Sequence, residues 1–188
     1  MKRSLYLLFL LLSILAGAAG QRGMPPREGI GNFGQVNDLL YRGAQPDAAG
    51  IAALSRLGVK MIVNLRMASD VWNQEEAIAR AHGILYTNIP LRGVGRPTDE
   101  QIVALLAILE TSTLPVYVHC QHGCDRTGTL IACYRIKHDK WTSEEAMVEA
   151  RKYGLSKFEW GMRRYVMSFR KSTAKEASPT APRPVAAK

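Results

Sequence analysis

The sequence predicts an α/β domain with a central, mostly parallel β-sheet flanked by helices. Short apolar runs typical of buried strands alternate along the chain with segments of helical periodicity. One such run, Val116–His119, leads into a short glycine-containing loop that is followed by a helix-forming segment. The length of 188 residues and the apolar share of 47% suit one domain with terminal extensions.

The predicted elements begin with two short strands within Phe33–Arg42, joined at Asn37–Asp38. A helix opens at Pro46–Asp47 and ends before Gly58. Further elements then alternate between strand and helix: a strand over Lys60–Leu65, a helix over Trp72–His82, a strand over Ile84–Ile89, a capped helix over Thr98–Glu110, the strand into Cys120, a helix after Arg126, a capped helix over Thr142–Tyr153 and a last helix over Lys157–Arg170.

The two ends of the chain differ in composition from this domain, which we place at residues 32–170. Residues 1–20 have a basic start, an apolar centre and a small-residue end, the pattern of a secretory signal peptide cleaved near Ala18. We therefore expect export to the periplasm or the medium, with no stable membrane insertion once the leader is removed. The alternative is an uncleaved leader that anchors the protein in the membrane. Residues 21–31 read as a linker, and residues 171–188 as a disordered tail.

The formal net charge of +9 is distributed unevenly. Leader and tail carry more than half of this excess, so that Gln21–Arg170 has a net charge of only +4. A mildly basic domain is compatible with a phosphorylated substrate. Nucleic-acid binding is disfavoured, because no stripe of Lys and Arg is interleaved with aromatic residues.

The stretch from His119 to Gly128 has the composition of an anion-binding site. A loop that closes onto a helix N-terminus points several backbone N–H groups at one place, and the helix dipole adds positive charge there. Such an environment binds oxyanions and favours the thiolate form of Cys120. Arg126, six residues after Cys120, offers two parallel N–H donors to phosphate oxygens. Gly123 and Gly128 permit a tight turn and a close approach of backbone to ligand.

These residues resemble a known signature. His119-Cys120, five residues and then Arg126-Thr127-Gly128 are similar to the loop of cysteine-dependent phosphatases of the tyrosine and dual-specificity superfamily. Leu40–Pro46 and Val59–Arg66 are similar to the first segments of small atypical dual-specificity phosphatases of bacteria, fungi and plants. The resemblance covers roughly Asn32–Arg170 and implies a phosphatase fold around this loop.

The resemblance and the loop chemistry together assign roles to the loop residues. Cys120 is the expected nucleophile, and Arg126 is expected to bind the phosphoryl group. The intervening residues and the one after Arg126 are expected to contact substrate: Gln121, His122, Gly123, Cys124 and Thr127. The Thr127 hydroxyl can donate to the cysteine sulfur. His119 is expected to fix the approach of the cysteine through hydrogen bonds rather than to act as a base.

The general acid is less well indicated. In the superfamily it is usually an Asp on a loop about thirty residues before the cysteine, yet Tyr86–Arg92 contains no carboxylate. Asp125 is the first choice, since some secreted bacterial tyrosine phosphatases have a similar Asp-Arg-Thr-Gly. Asp99 is the second choice, although its place in a capping box suits helix stabilisation. Asp70 follows an earlier strand and is the third.

The three cysteines cluster at the loop and its helix, which is unlike a disulfide framework. A reversible Cys120–Cys124 bond could protect the nucleophile, or Cys124 is simply a small loop residue. Cys133 is expected to be a buried helix residue. A metal site formed by the histidines and cysteines of the loop is disfavoured, because their spacing differs from that of structural zinc sites. We expect neither metal nor cofactor.

The sequence therefore predicts an enzyme that hydrolyses phosphate monoesters, of the phosphotyrosine or dual-specificity type, through a cysteinyl-phosphate intermediate. The expected partner is a phosphorylated protein or a small phosphomonoester. Two alternatives remain: a catalytically weak module of the same fold that binds phosphorylated ligands, and an inositol-phosphate phosphatase. Few basic residues in the loop argue mildly against highly phosphorylated inositols. Sulfur transfer is disfavoured, because such enzymes resemble a shorter loop without this spacing from Cys to Arg.

Overall fold

The computed structural model describes residues 23–176; the predicted leader and the last twelve residues lie outside the described residues. Five strands are present within these residues: β1 (Gly34–Asn37), β2 (Leu40–Gly43), β3 (Met61–Asn64), β4 (Leu85–Asn88) and β5 (Val116–His119). Six α-helices accompany them in the same range: α1 (Ala48–Arg56), α2 (Glu75–Ala81), α3 (Asp99–Thr111), α4 (Asp125–Lys137), α5 (Ser143–Lys152) and α6 (Trp160–Glu176).

The strands form one sheet in the order β1-β2-β5-β3-β4. Only β1 is antiparallel to its neighbour, while β2, β5, β3 and β4 run in the same direction. His119, the last residue of the central strand β5, pairs with Gly43 on one side and with Asn64 on the other. The carboxyl ends of three parallel strands therefore meet where Cys120 begins its loop, and the predicted α/β class is confirmed.

Alternating side chains of the strands fill two cores, one on each face of the sheet. Val63, Val116 and Val118 pack with buried residues of α3–α6. Ile62 and Tyr117 face the opposite core with residues of α1 and α2. This alternation follows from the period of two in an extended strand. With both faces covered by helices, β5 is fully buried, as its apolar sequence predicts.

Side chains cap three helices at the predicted places. Asp47 Oδ1 accepts a hydrogen bond of 2.8 Å from Gly50 N at the start of α1. The two predicted capping boxes form before α3 and α5, where Thr98 pairs with Gln101 and Thr142 with Glu145. Each cap satisfies backbone N–H groups that the first helical turn leaves unpaired.

Two helices differ from their predicted bounds. α2 begins at Glu75 rather than Trp72, because the chain first makes a short 3₁₀ turn over Ala68–Asp70. α6 begins at Trp160 and continues to Glu176, six residues into the segment predicted as a disordered tail. Extending an existing helix costs less than nucleating one, and the first proline after α6 is Pro179.

The domain also begins earlier than the predicted boundary at residue 32. Ile30 is 1% exposed and packs in the core between α1 and the sheet. Its backbone forms a bridge with Arg27, and Gly29 O accepts a hydrogen bond from Asp47 N. The glycines and prolines of 21–31 indicate a linker, but one buried isoleucine ties the end of that segment to the fold.

Candidate active site

Cys120 lies at the carboxyl end of β5, at the mouth of the loop that leads to α4. Its side chain is buried, and it is a free thiol. The loop spans Cys120–Cys124, and α4 begins at Asp125. The N-terminus of α4 therefore faces the same short loop as the cysteine, and its dipole favours negative charge there.

Three successive carbonyl groups of this loop are held by donors from neighbouring segments. Gln121 O accepts from the backbone N–H of Gln45 at 3.2 Å. His122 O accepts from Asn32 Nδ2 at 3.2 Å. Gly123 O accepts from Arg42 Nη2 at 3.1 Å.

These contacts fix the direction of the loop's amide groups. In a planar trans peptide the N–H points opposite to the C=O. The N–H groups of His122, Gly123 and Cys124 therefore point away from the three donors. Successive amides turned to one side make an anion-binding concavity, as the sequence of the loop predicts.

Gly123 is the loop position at which the backbone requires glycine. Its φ of +67° lies in the left-handed region, where side chains with a Cβ are disfavoured. A Cβ placed there would collide with the backbone of Gly43 and Ala44 at the end of β2. The loop thus packs directly against the neighbouring strand.

Arg126 lies in the first turn of α4 and is 7% exposed. Its Nη1 is 3.5 Å from Leu65 O, just after β3, and 4.0 Å from Asp70 Oδ2. Asp70 also lies 3.7 Å from Arg66 Nε, and Arg66 Nη1 donates to Gln45 Oε1 at 3.3 Å. The turn after β3 therefore places one carboxylate and a second guanidinium beside Arg126.

A buried pair lies behind the cysteine. His119 Nε2 is 2.8 Å from Glu75 Oε1, and both side chains are fully buried. The contact is off the direction of a hydrogen bond, so it acts chiefly as a polar contact between two closely packed groups. His119 Nδ1 lies 3.2 Å from the carbonyl oxygen of Cys120. The imidazole thus spans the space between the first residue of the loop and α2.

Two further polar groups complete this buried cluster. Asn64 Nδ2 donates to Glu75 Oε2 at 2.8 Å and contacts Tyr86 Oη at 2.9 Å. Burial raises the pKa of Tyr86 to about 12, so its hydroxyl keeps its proton and donates to Glu75 Oε2 at 3.2 Å. Glu75 therefore connects β3, β4 and β5 at the carboxyl edge of the sheet.

The two aspartates ranked first and second as the acid have partners of their own. Asp125 Oδ1 accepts a 2.7 Å hydrogen bond from Ser156 N, in the segment between α5 and α6. Asp99 Oδ1 lies 3.3 Å from Arg96 Nη2. Burial is the main cause that raises the pKa of Tyr165, and the hydrogen bond between Asp99 and the Tyr165 hydroxyl raises it further. Asp70, ranked third, is the aspartate that contacts Arg126. The acid predicted from the sequence stays a prediction.

The other predicted loop residues occupy different environments. Gln121 and His122 are exposed, whereas Cys124 is buried and accepts from Asn32 Nδ2 at 3.5 Å. Thr127 is fully buried, and its hydroxyl has no hydrogen-bond partner among residues 23–176. It is therefore available to the sulfur or to a bound anion.

Cys133 lies in the middle of α4, where burial raises the pKa of its thiol. All three cysteines are free thiols, so no bond joins Cys120 to Cys124 in this state. Within the described part of the chain, no cluster of three or more His, Cys, Asp or Glu side chains could hold a metal ion. No helix in residues 23–176 is long and apolar enough to cross a membrane.

A family model described as "DSP-PTPase phosphatase fused to NAD+ Kinase" matches residues 27–167. The chain belongs to this family. The match begins close to Ile30, where the structure also places the start of the domain, and it includes the whole loop from Cys120 to Arg126. The family is one of small dual-specificity-type phosphatases, as the loop signature predicts.

Individual relatives agree with this membership. The dual specificity protein phosphatase TpbA of Pseudomonas aeruginosa is 32% identical over 132 residues, which cover 65% of this chain and 55% of TpbA. The inositol diphosphatase DSP1 of Oryza sativa is 27% identical over 131 residues, covering 67% of this chain and 58% of DSP1. The chain thus spans little more than half the length of these two relatives.

Solved structures show the same fold. The crystal structure of P. aeruginosa TpbA in complex with pTyr superposes with a TM-score of 0.67 and 25% sequence identity. The superposition covers 84% of this chain and 98% of that chain. TpbA therefore has the same overall fold as this chain.

Sequence reasoning missed three residues that hold this loop. Glu75 is indistinguishable in sequence from Glu76, since both are acidic residues at a helix start. Arg42 belongs to the resembling segment Leu40–Pro46, but nothing in the pattern shows that it is buried. Asn32 precedes β1 by two residues and contacts a loop ninety residues later. Only tertiary contacts separate these residues from ordinary surface positions.

The buried cluster around Glu75 makes a prediction about stability. Glu75→Leu would remove the acceptor of Asn64 Nδ2 and of the Tyr86 hydroxyl, and it would also remove the carboxylate that lies 2.8 Å from the buried His119 Nε2. We expect the free energy of unfolding to fall by about 3–5 kcal/mol. Urea denaturation followed by circular dichroism measures this loss.

The neighbouring Glu76→Leu is the matched control, since Glu76 forms an exposed ion pair with Arg80. Pairs of this kind contribute less than about 1 kcal/mol. Equal destabilisation by the two substitutions would contradict a special role for the buried carboxylate.

Proposed function

We propose that the protein is a cysteine-dependent phosphatase of the phosphotyrosine and dual-specificity type. The observation that carries the proposal is the loop Cys120–Cys124, whose carbonyls are held from outside while α4 and Arg126 close it. The arrangement suits a tetrahedral oxyanion bound next to a cysteine sulfur. The dual-specificity name of TpbA and the complex of TpbA with pTyr support it.

The geometry suggests how a phosphate monoester is hydrolysed. The Cys120 thiolate attacks phosphorus, a sulfur–phosphorus bond forms, and the bond from phosphorus to the leaving oxygen breaks. The leaving oxygen takes a proton from a general acid. Arg126 and the loop amides stabilise the charge on the equatorial oxygens. Water then attacks the phosphocysteine, which releases inorganic phosphate and restores the thiol.

Asp70 is the carboxylate that we propose as general acid. It lies on the turn after β3, at the same sheet edge as Cys120, and 4.0 Å from Arg126 Nη1. Its side chain is 40% exposed, so an incoming ester can reach it. Asp125 is instead turned towards Ser156 N, which suits a positioning role for the segment before α6.

A second substrate class, inositol phosphates, is also compatible with the site. The guanidinium of Arg66 adds a cation beside Arg126 and Asp70. That extra charge favours substrates with more than one phosphate. The name of the rice relative, an inositol diphosphatase, points in the same direction. Initial rates on phosphotyrosine peptides, phosphoserine peptides and inositol phosphates distinguish these classes.

Substitution of the nucleophile tests the main proposal. We expect the protein in thiol-containing buffer to hydrolyse p-nitrophenyl phosphate and Cys120→Ser to lose this activity, because a serine hydroxyl is not ionised at neutral pH. Arg126→Lys keeps the charge but loses the planar pair of donors, and kcat is expected to fall about 10²–10³-fold.

Cys133→Ala serves as the control, since Cys133 is buried within α4 away from the loop. It is expected to retain activity. Release of phosphate by Cys120→Ser at the wild-type rate would contradict the cysteinyl-phosphate mechanism. A wild-type protein that binds phosphotyrosine peptides but cleaves none would instead indicate the binding module.

Three substitutions compare the acids: Asp70→Asn, Asp125→Asn and Asp99→Asn. Loss of the acid matters most when the leaving group is poor. We expect Asp70→Asn to lower kcat about 10²–10⁴-fold on phenyl phosphate and much less on p-nitrophenyl phosphate. Asp99→Asn is expected to behave as wild type. Asp125→Asn should affect both substrates alike.

The measurement that identifies the acid is the ratio of kcat on phenyl phosphate to kcat on p-nitrophenyl phosphate for each variant. Should Asp125→Asn show the strong dependence on the leaving group, and Asp70→Asn none, the acid would be Asp125 as the sequence suggests.

We also propose that the protein is exported, on the basis of the residue pattern of 1–20. The mature protein then starts near residue 19 and lies in the periplasm or the medium. Mass spectrometry of the N-terminus, made on fractionated cells that express the full chain, tests this. Recovery of an intact Met1 from the membrane fraction would favour the anchored alternative.

A further inference from the structure

Arg42 lies directly behind the loop that binds phosphate. It belongs to β2, whose residues Arg42 and Gly43 pair with Val118 and His119 of β5. Its guanidinium stacks on the ring of Tyr153, with 3.8 Å from Cζ to the ring centre. Nη2 donates to Gly123 O at 3.1 Å.

The Arg42 side chain is buried to an unusual degree for a cation. It is 1% exposed, and its Nε and Nη1 have no hydrogen-bond partner among the residues that the structure describes. Arginine is almost never fully buried without a partner, because removing its charge from water is costly. Because burying this charge is costly, we look for a function of the Arg42 guanidinium in its charge or its geometry.

The carboxylate that most favours the charged form of Arg42 is already paired. Burial lowers the pKa of Arg42 to about 10, and Glu149 opposes this effect most strongly. However, Glu149 accepts two hydrogen bonds from Arg135, at 2.8 and 3.1 Å. Arg42 stays cationic at neutral pH, since its pKa is well above 7, and part of its charge remains uncompensated.

The other groups that interact with the Arg42 charge are the Tyr153 hydroxyl and, in the loop, the thiols of Cys120 and Cys124. Cys120 and Cys124 both favour its charged form when they are ionised. A nearby cation stabilises an ionised thiol in general, and the geometric link of Arg42 to this loop is its 3.1 Å hydrogen bond to Gly123 O. The hydrogen bond to Gly123 O has a second effect, because it turns the following amide, Cys124 N–H, to the opposite side of the peptide plane.

We propose that Arg42 is a positioning residue of the phosphatase reaction: it stabilises the Cys120 thiolate from behind the loop and holds the Cys124 amide towards the phosphate. Arg126 contacts the substrate directly, whereas Arg42 acts through the loop. This inference rests on the proposed function for its catalytic consequence, but its effect on the thiol can be measured without turnover.

Several other titratable or charged groups lie around the loop, on the elements packed against it. They are Arg66 and Asp70 after β3, Glu75 of α2, Tyr117 and His119 of β5, His122 and Cys124 of the loop, Asp125 and Arg126 of α4, Glu149 of α5 and Tyr153 just after α5. Each is unchanged in a variant at position 42, so a difference in pH dependence reports on Arg42.

The experiment measures alkylation of Cys120 by iodoacetamide as a function of pH, with the labelled peptide identified by mass spectrometry. In Arg42→Met, which keeps the length and loses the charge, we expect the rise of the alkylation rate to move about one pH unit upward. In Arg42→Lys, which keeps the charge, the rise should stay near that of wild type. The acid limb of kcat/KM for p-nitrophenyl phosphate should move in parallel.

Arg163→Met is the matched control, since Arg163 also stacks on an aromatic ring, that of Trp160, and donates to a carbonyl, Lys157 O at 2.8 Å, but lies on α6. It is expected to leave the pH dependence unchanged. Arg42→Met with a lower melting temperature and an unshifted alkylation profile would overturn the proposal.

If Arg42→Met does not fold, Arg42→Lys tests the proposal through the orientation of the Cys124 amide. Lysine loses the planar donor that faces Gly123 O, so inhibition by inorganic phosphate is expected to weaken about tenfold. Unchanged inhibition by phosphate would overturn the proposal. The two proposals can also fail separately. If the wild-type protein hydrolyses no ester but Arg42→Met still shifts the alkylation profile, the role of Arg42 is supported and the proposed phosphatase function is contradicted.

Discussion

The site depends on one constraint: a peptide group that turns its N–H towards an anion turns its C=O the opposite way, and a buried carbonyl there needs a donor. Here Gln45, Asn32 and Arg42 each supply a donor to one of three consecutive carbonyls. They come from the segment before β1, from β2 and from the turn after it. The parallel alignment of β2 with β5 brings the end of β2 to the loop, so the orientation of the loop's amide groups depends on the topology of the sheet.

Most of the fold could be predicted because it follows from local patterns. Apolar runs predict β3 and β5, and capping boxes place the starts of α3 and α5. The limits of α2 and α6 were less well predicted, since a 3₁₀ turn has no strong sequence signal and helix propagation depends on the residues already helical.

The site was predictable only in part. Spacing alone brings Cys120, Arg126 and a helix N-terminus together, because all three lie within seven residues. The sequence does not bring Asp70, the acid that we propose, to Arg126, since the two meet only through the pairing of β3 with β5, in which Met61 lies beside Val116, 55 residues later. Asp125 illustrates the opposite case. It is adjacent to Arg126 in sequence, yet its carboxylate accepts a hydrogen bond from Ser156 N in the segment between α5 and α6.

Asn32 has a consequence for how the domain can be shortened. It donates to His122 O and Cys124 of the loop and to Tyr153 O, just after α5, from a left-handed backbone conformation at φ +53°. A truncated protein that begins at Phe33 would retain the five strands and six α-helices of residues 23–176. It would nevertheless lose both the core contact of Ile30 and the hydrogen bonds of Asn32 to the loop, so an expression boundary chosen from secondary structure alone would yield a less stable protein with an impaired site.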